Sequence, residues 1–166
     1  MRSAARGNGP ALHRRHWLVA MLAFAGTPVA RGQPVAPQTA AALPQAAQEA
    51  IDEVLRGRTP TEGRVTLELP KLAENGLSVP MTVRAASPMT AADHVHTLHV
   101  IAPANPVPTV TRLHFTPRSG EAFLSTRIRL ADTQRVLALA ETSDGQVFSG
   151  QAHVVVTLGG CVDPVL

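Results

Sequence analysis

The chain of 166 residues contains a single cysteine, Cys161, and no tyrosine. One cysteine excludes an internal disulfide, a CxxC redox or metal motif and a CxxCH haem-attachment site. Aromatic residues make up only 3%, so a core must be built from Val, Leu, Ile and Ala, and stacking platforms for bases or sugars are scarce. Long apolar runs are missing too. Trp17 to Gly26, WLVAMLAFAG, falls short of the roughly 20 residues that a membrane-spanning helix needs. There is no glycine-rich phosphate loop and no legible Ser-His-Asp arrangement. What is present in quantity is hydrophobic residues, at 45%, which is the composition of one folded domain.

Acidic residues are absent from the first 32 positions, where Arg2, Arg6, Arg14, Arg15 and Arg31 supply five of the chain's 15 basic residues. The net charge of +3 is therefore carried by the N-terminal arm. Without that arm the remaining basic residues are outnumbered by the 12 acidic ones, which argues against a nucleic-acid partner. A basic stretch, a short apolar run and the small-residue exit Ala30-Arg31-Gly32 together predict a removable export signal over residues 1–32. The junction His13-Arg14-Arg15-His16-Trp17-Leu18 is similar to a twin-arginine signal, which implies export to the periplasm in the folded state.

Residues 33–57 are predicted to hold a Pro/Ala-rich linker and one short amphipathic helix. In the helix Ala47, Ile51, Val54 and Leu55 share one face, Pro44 begins the first turn and Gly57 stops it. From residue 58 to 158 the period changes to two. About seven short apolar-alternating runs are separated by turn signals such as Glu74-Asn75-Gly76, Ser87-Pro88, Arg118-Ser119-Gly120 and Asp144-Gly145. This pattern predicts a mainly β protein, an Ig-like antiparallel β-sandwich with one N-terminal helix and no bridging disulfide.

Residues 159–166 are predicted to form a flexible arm. Cys161 follows the strand-like run HVVVTL and the pair Gly159-Gly160, which have no Cβ to restrict them. Extended, residues 159–161 reach roughly 10 Å from the strand end at about 3.3 Å per residue. No base stands nearby to activate the thiol, and Asp163 disfavours its thiolate. A mobile tail is a poor catalytic scaffold but a good tether for offering a bound group to other proteins. Cys161 is thus read as a covalent attachment point. An inert buried cysteine and an intermolecular disulfide remain the alternatives. The segment HVHTLHV offers His94 and His96 on one strand face with His99 on the other; zinc or copper would need a further ligand that is not evident. Arg127 and Arg129 share a strand face, with Arg112 expected near them, and suit an oxyanion or a solvated rim. Asp93, Asp132 and Asp144 sit at turn signals and read as turn residues.

Five stretches converge on one family: SPMTAADHV at 87–95, HFTPRSG at 114–120, STRIRLADTQ at 125–134, ALAETSDG at 138–145 and VVVTLGGC at 154–161. The segment from Asn75 to Cys161 resembles the carrier protein of the Sox thiosulfate-oxidation system, its Y subunit. The resemblance implies an Ig-like sandwich that forms a heterodimer with a smaller Z-type subunit and has no catalysis or cofactor of its own. It implies that Cys161 is the attachment residue and Gly159-Gly160 the flexible part of the arm. A haem-containing partner would join thiosulfate to the cysteine, a hydrolase would release sulfate, and a sulfane dehydrogenase would oxidise the sulfur left behind. The family usually ends GGCGG, whereas here Cys161 is followed by VDPVL. Val162 is β-branched and Pro164 stiffens its surroundings, so a narrow partner channel is expected to receive this tail differently.

Overall fold

The structure is a computed structural model and describes residues 42–160. The expected export segment, most of the linker, and Cys161 with the tail to Leu166 lie outside the described residues. Helix α1 runs Gln45–Leu55 and buries Ala47, Ile51 and Val54, as its apolar spacing predicts. Pro44 is the N-cap residue, one position ahead of the first helical residue. The chain leaves through Arg56 at φ 49° and Gly57 at φ 79°, two successive left-handed residues of which only the glycine is at ease there.

Among the described residues nine strands follow: β1 (Thr61–Glu62), β2 (Val65–Glu68), β3 (Leu72–Ala73), β4 (Val79–Ala85), β5 (Val95–Ile101), β6 (Thr109–His114), β7 (Ala122–Ile128), β8 (Gln134–Thr142) and β9 (Val147–Val156). The seven longer ones correspond to the seven alternating runs. The additional β1 and β3 have two residues each, too short for any periodicity to register. The order of the larger sheet is β1-β9-β8-β5-β6, with β3 also on β9; the smaller sheet is β2-β4-β7. Both short strands run parallel to β9, Thr61 opposite Phe148 and Leu72 opposite Val155.

Burial explains the strand patterns. In β4, Val79, Met81, Val83 and Ala85 point inward and alternate with more exposed residues, because one face of the small sheet meets solvent. In β5 and β8 the burial is almost continuous. Their inner face packs on the small sheet through Leu98, Val100, Val136 and Ala138, while Ile101 and Leu139 on the other face meet Ile51 and Val54 of α1. The larger sheet is thus covered on both sides in its centre, and such strands read as unbroken apolar runs.

The two long sides of the sandwich differ. On one side β2 closes against β9, so tightly that a Cβ on Gly150 would lie 2.4 Å from the Val65 carbonyl oxygen. On the other side β6 and β7 are the terminal strands of their sheets, and a cleft of about 470 Å³ opens between them.

Candidate functional site

The described chain stops one residue before Cys161, and its last residues are held in place. Gly76 N–H donates to Leu158 O at 2.7 Å, Leu130 N–H to Gly76 O at 2.8 Å, and Gly160 N–H to Leu130 O at 2.7 Å. Thr157 adds a bond from its N–H to Ala73 O at 3.1 Å and one from its hydroxyl to Glu74 O at 2.8 Å. Three backbones therefore cross at one point: the β3–β4 turn, the residues after β7 and the residues after β9.

Glycine is what lets them meet. A Cβ on Gly160 would lie 2.3 Å from Gly76 C and O, one on Gly159 would lie 2.2 Å from Ala131 O, and one on Gly76 would lie 2.2 Å from Leu130 O. None of these is a left-handed position, so lack of space is the reason for glycine at all three. Gly159 and Gly160, expected in the flexible arm, are packed against the body of the protein, and Gly160 is buried; the rest of that arm, from Cys161 on, lies outside the described residues. The sequence signal that would have paired with them, Asn75-Gly76, reads on its own as a turn; Asn75 Oδ1 does accept the Leu77 N–H at 2.8 Å.

The anchor lies at one end of the cleft between β6 and β7. Asn105, from the β5–β6 connection, donates from Nδ2 to Arg129 O and accepts the Ala131 N–H, both at 2.9 Å, which fixes the stretch around Leu130. Arg127 and Arg129 line the cleft, as expected of two residues on one face. Arg112 is not with them. It sits in the larger sheet beneath α1, donating to His99 Nδ1 at 3.3 Å and to Glu53 Oε1 at 3.0 Å.

The histidine cluster also departs from expectation. A register irregularity in β5 between Val95 and Thr97 changes the alternation, so that His96 and His99 line the same pocket, and His99 is buried. Because Arg112 Nε–H donates to Nδ1, the other ring nitrogen, Nε2, carries the proton and donates to Glu141 Oε1 at 2.9 Å. Arg58 Nη2 donates to Glu141 Oε2 at 2.5 Å and also caps α1 through Val54 O at 2.7 Å. Burial holds the His99 imidazole below its ordinary value, against the opposing hydrogen bond and charge of Glu141. Burial alone would raise the Glu141 carboxyl, but hydrogen bonds from Arg58 and His99 outweigh it and keep the carboxyl below its ordinary value. The cluster is a neutral imidazole clamped between charged partners, a fastening for the helix. Among the described residues no group of three or more His, Cys, Asp or Glu is placed to hold a metal ion. Among them, too, no helix is long and apolar enough to cross a membrane. Asp132 and Asp144 behave as turn residues: Asp132 accepts the Thr133 N–H at 2.6 Å, and Asp144 accepts from Thr142 Oγ1 at 2.5 Å and Gln146 Nε2 at 2.7 Å, whereas the Asp93 carboxylate accepts from Arg64 Nη2 at 3.3 Å.

An Ig-like sandwich with one covering helix and a glycine-pinned strand end just before a lone cysteine defines the class of protein. A family model described as sulfur oxidation protein SoxY matches residues 51–161, from the middle of α1 through the cysteine. The chain belongs to the SoxY family. Its fold is similar to that of the sulfur carrier protein SoxY from Chlorobium limicola f thiosulfatophilum, at 27% identity and TM-score 0.55, covering 67% of this chain and 96% of that one. A superoxide reductase (neelaredoxin) from Ignicoccus hospitalis shares the fold alone, at 15% identity and TM-score 0.50, covering 57% of this chain and 80% of that one. No curated protein matches. Residues 162–166 lie beyond the family match.

Proposed function

We propose that this chain is a non-catalytic, covalent carrier of sulfur intermediates in thiosulfate oxidation, with Cys161 as the attachment residue. The observation that carries the proposal is that the family match runs through to Cys161 while the chain immediately before it is locked by the Gly76–Leu130–Gly160 crossing. A rigid body with a reactive residue one step beyond a fixed anchor suits a tether whose chemistry is supplied by visiting enzymes. The cysteine thiolate and thiosulfate join with loss of two electrons to a haem-containing partner, giving a cysteine S-thiosulfonate. Water then cleaves the terminal sulfur–sulfur bond in a hydrolase, releasing sulfate and two protons and leaving a cysteine persulfide. A sulfane dehydrogenase oxidises the persulfide sulfur. The carrier works as a heterodimer with a Z-type subunit, needs no cofactor, and acts in the periplasm after twin-arginine export.

The test is the intact mass of protein purified from the periplasm, before and after a thiol reductant, beside Cys161→Ser. A reducible increment matching thiosulfonate or added sulfur, absent from the variant, is expected. A bare thiol or a plain protein disulfide, even with thiosulfate and partner enzymes supplied, would overturn the carrier assignment.

A further inference from the structure

Two free strand edges border one cleft. In β6 and β7 every second residue turns its N–H and C=O away from the neighbouring strand, and both strands are terminal in their sheets, so these groups have no strand partner among the described residues. The floor between them is core left half covered. Val110, Leu113 and Leu124 pack against the main hydrophobic cluster but are only partly buried, and Ile128 lines the cleft with them. The opposite long side of the sandwich is closed, with β2 lying so near β9 that Gly150 has no room for a side chain.

Charge decides what fits there. Arg127 and Arg129 line the cleft, no carboxylate does, and among the described residues neither arginine is in an ion pair. Arg127 donates to Ser78, from Nε to the hydroxyl at 2.6 Å and from Nη2 to the carbonyl at 3.0 Å. In β7 the buried Ala122 and Ile128 and the half-buried Leu124 face inward, while Phe123, Ser125 and Arg127 face outward. A strand added beside β7 must therefore present apolar side chains inward, near Leu124 and Ile128, and acidic ones outward, near Arg127 and Arg129. A second copy of this chain offers no such edge. The strand β6 reads TVTRLH and β7 reads AFLSTRI, each with an arginine and neither with an acid. Pairing of two copies would set arginine near arginine, and like charges oppose it.

We propose that the free edge of β7, with the cleft beside it, is a docking site for an extended strand of another protein in which apolar and acidic residues alternate. The added strand becomes the fourth of the small sheet. Its apolar side chains cover Val110, Leu113, Leu124 and Ile128, and its carboxylates meet the two guanidinium groups. Backbone hydrogen bonds supply the affinity, and the alternation with the arginine pair selects the partner. Arg129 adjoins Leu130, whose carbonyl accepts the Gly160 N–H, so a protein docked on this edge stands next to the anchor of the chain's end. The inference needs no reactivity at Cys161 and goes beyond the carrier assignment.

The test is an NMR titration of the purified protein, with labelled amides and labelled Val, Leu and Ile methyls. The probe is a capped peptide as long as β7 in which valine alternates with glutamate, carried into the millimolar range. Saturating shifts are expected at the β7 amides and at the methyls of Val110, Leu113, Leu124 and Ile128, with the α1 face unchanged. Lysine in place of glutamate in the peptide is expected to weaken binding about tenfold, because exposed ion pairs are replaced by repulsion. Arg127→Gln/Arg129→Gln is expected to weaken the glutamate peptide about three- to tenfold and to remove most of its advantage over the lysine peptide, with unchanged α1 signals showing that the variant is folded. Raised salt should narrow the same advantage in the parent. N-methylation of alternate peptide nitrogens, made in both phases, is expected to abolish binding in one phase, since only one set of N–H groups faces β7. Cleft signals unmoved by the glutamate peptide would overturn the proposal, as would equal shifts from the lysine peptide or binding that survives N-methylation in both phases. Cleft signals that change with protein concentration alone would overturn it as well, since they place a second copy there. The readout requires no sulfur adduct, so failure of docking and failure of the carrier chemistry are separable.

Discussion

Gly160 leaves no room for a side chain, because its Cβ position is occupied by the backbone of Gly76. Gly160→Ala must therefore push apart two backbones that are hydrogen-bonded through Leu130. We expect a loss of about 1–3 kcal/mol, the usual range for forcing atoms into a packed interior, seen as a lower urea midpoint. Gly159→Ala, against Ala131 O, should behave alike. A merely flexible Gly-Gly pair would tolerate both changes with a slight gain in stability, since alanine reduces the entropy of the unfolded chain. The residue order alone does not separate these two roles for glycine. Freedom is visible locally, in the missing Cβ, whereas the close approach depends on residues 76, 130 and 160 meeting, which strand pairing decides. Val65 and Leu67, by contrast, announce their burial in the alternation of their own strand.

At the level of elements, α1 is fastened to the larger sheet by packing and by the Arg58–Glu141–His99–Arg112–Glu53 chain of polar contacts. Truncating Ile51 to Ala removes its contact with Ile101 and Leu139 and should cost about 2–5 kcal/mol, measured by chemical denaturation. The polar chain adds a pH dependence. His99 is neutral in the fold and its folded pKa lies below the ordinary 6.5, so the unfolded chain takes up the proton first as pH falls. Its contribution is complete above about pH 6.5 and is lost below that, down to the folded value. Glu141 is also depressed, so its contribution is present above its ordinary 4.5 and is lost as pH falls through its lower folded value. Both act in one direction, and acid loosens the helix. The urea midpoint should decline from pH 7 to pH 5 in the parent, and His99→Gln, which cannot gain a proton, should flatten that decline. The grounds for this buried cluster lay partly in the sequence. Leu137-Ala138-Leu139-Ala140 is an unbroken apolar run, the mark of a strand covered on both faces, and His99 sits in the neighbouring strand opposite Leu139. The irregularity between Val95 and Thr97, which moves His96 and His99 out of simple alternation, left no such mark.

At the scale of the whole molecule, the fold can close only when the chain is complete. Thr61 pairs with Phe148, Leu72 with Val155, and the anchor for the cysteine joins Gly76 and Leu130 to Gly160. Contacts this distant in sequence form late and slowly. A route that exports folded protein suits such a chain, whereas a route that threads it unfolded would make the sandwich assemble afterwards. The two routes make different demands on Arg14-Arg15. The general secretory signal needs positive charge in that region, and lysine supplies it equally well. The twin-arginine signal is an address read by a receptor, for which the guanidinium pair itself matters. Arg14→Lys/Arg15→Lys is therefore expected to keep the protein in the cytoplasm with its signal uncut, as judged by fractionation and by the size of the chain. Appearance of the doubly substituted protein in the periplasm at the parental level would assign it to the general route, and the sandwich would then have to close after export, with Cys161 exposed to oxidants before its anchor has formed.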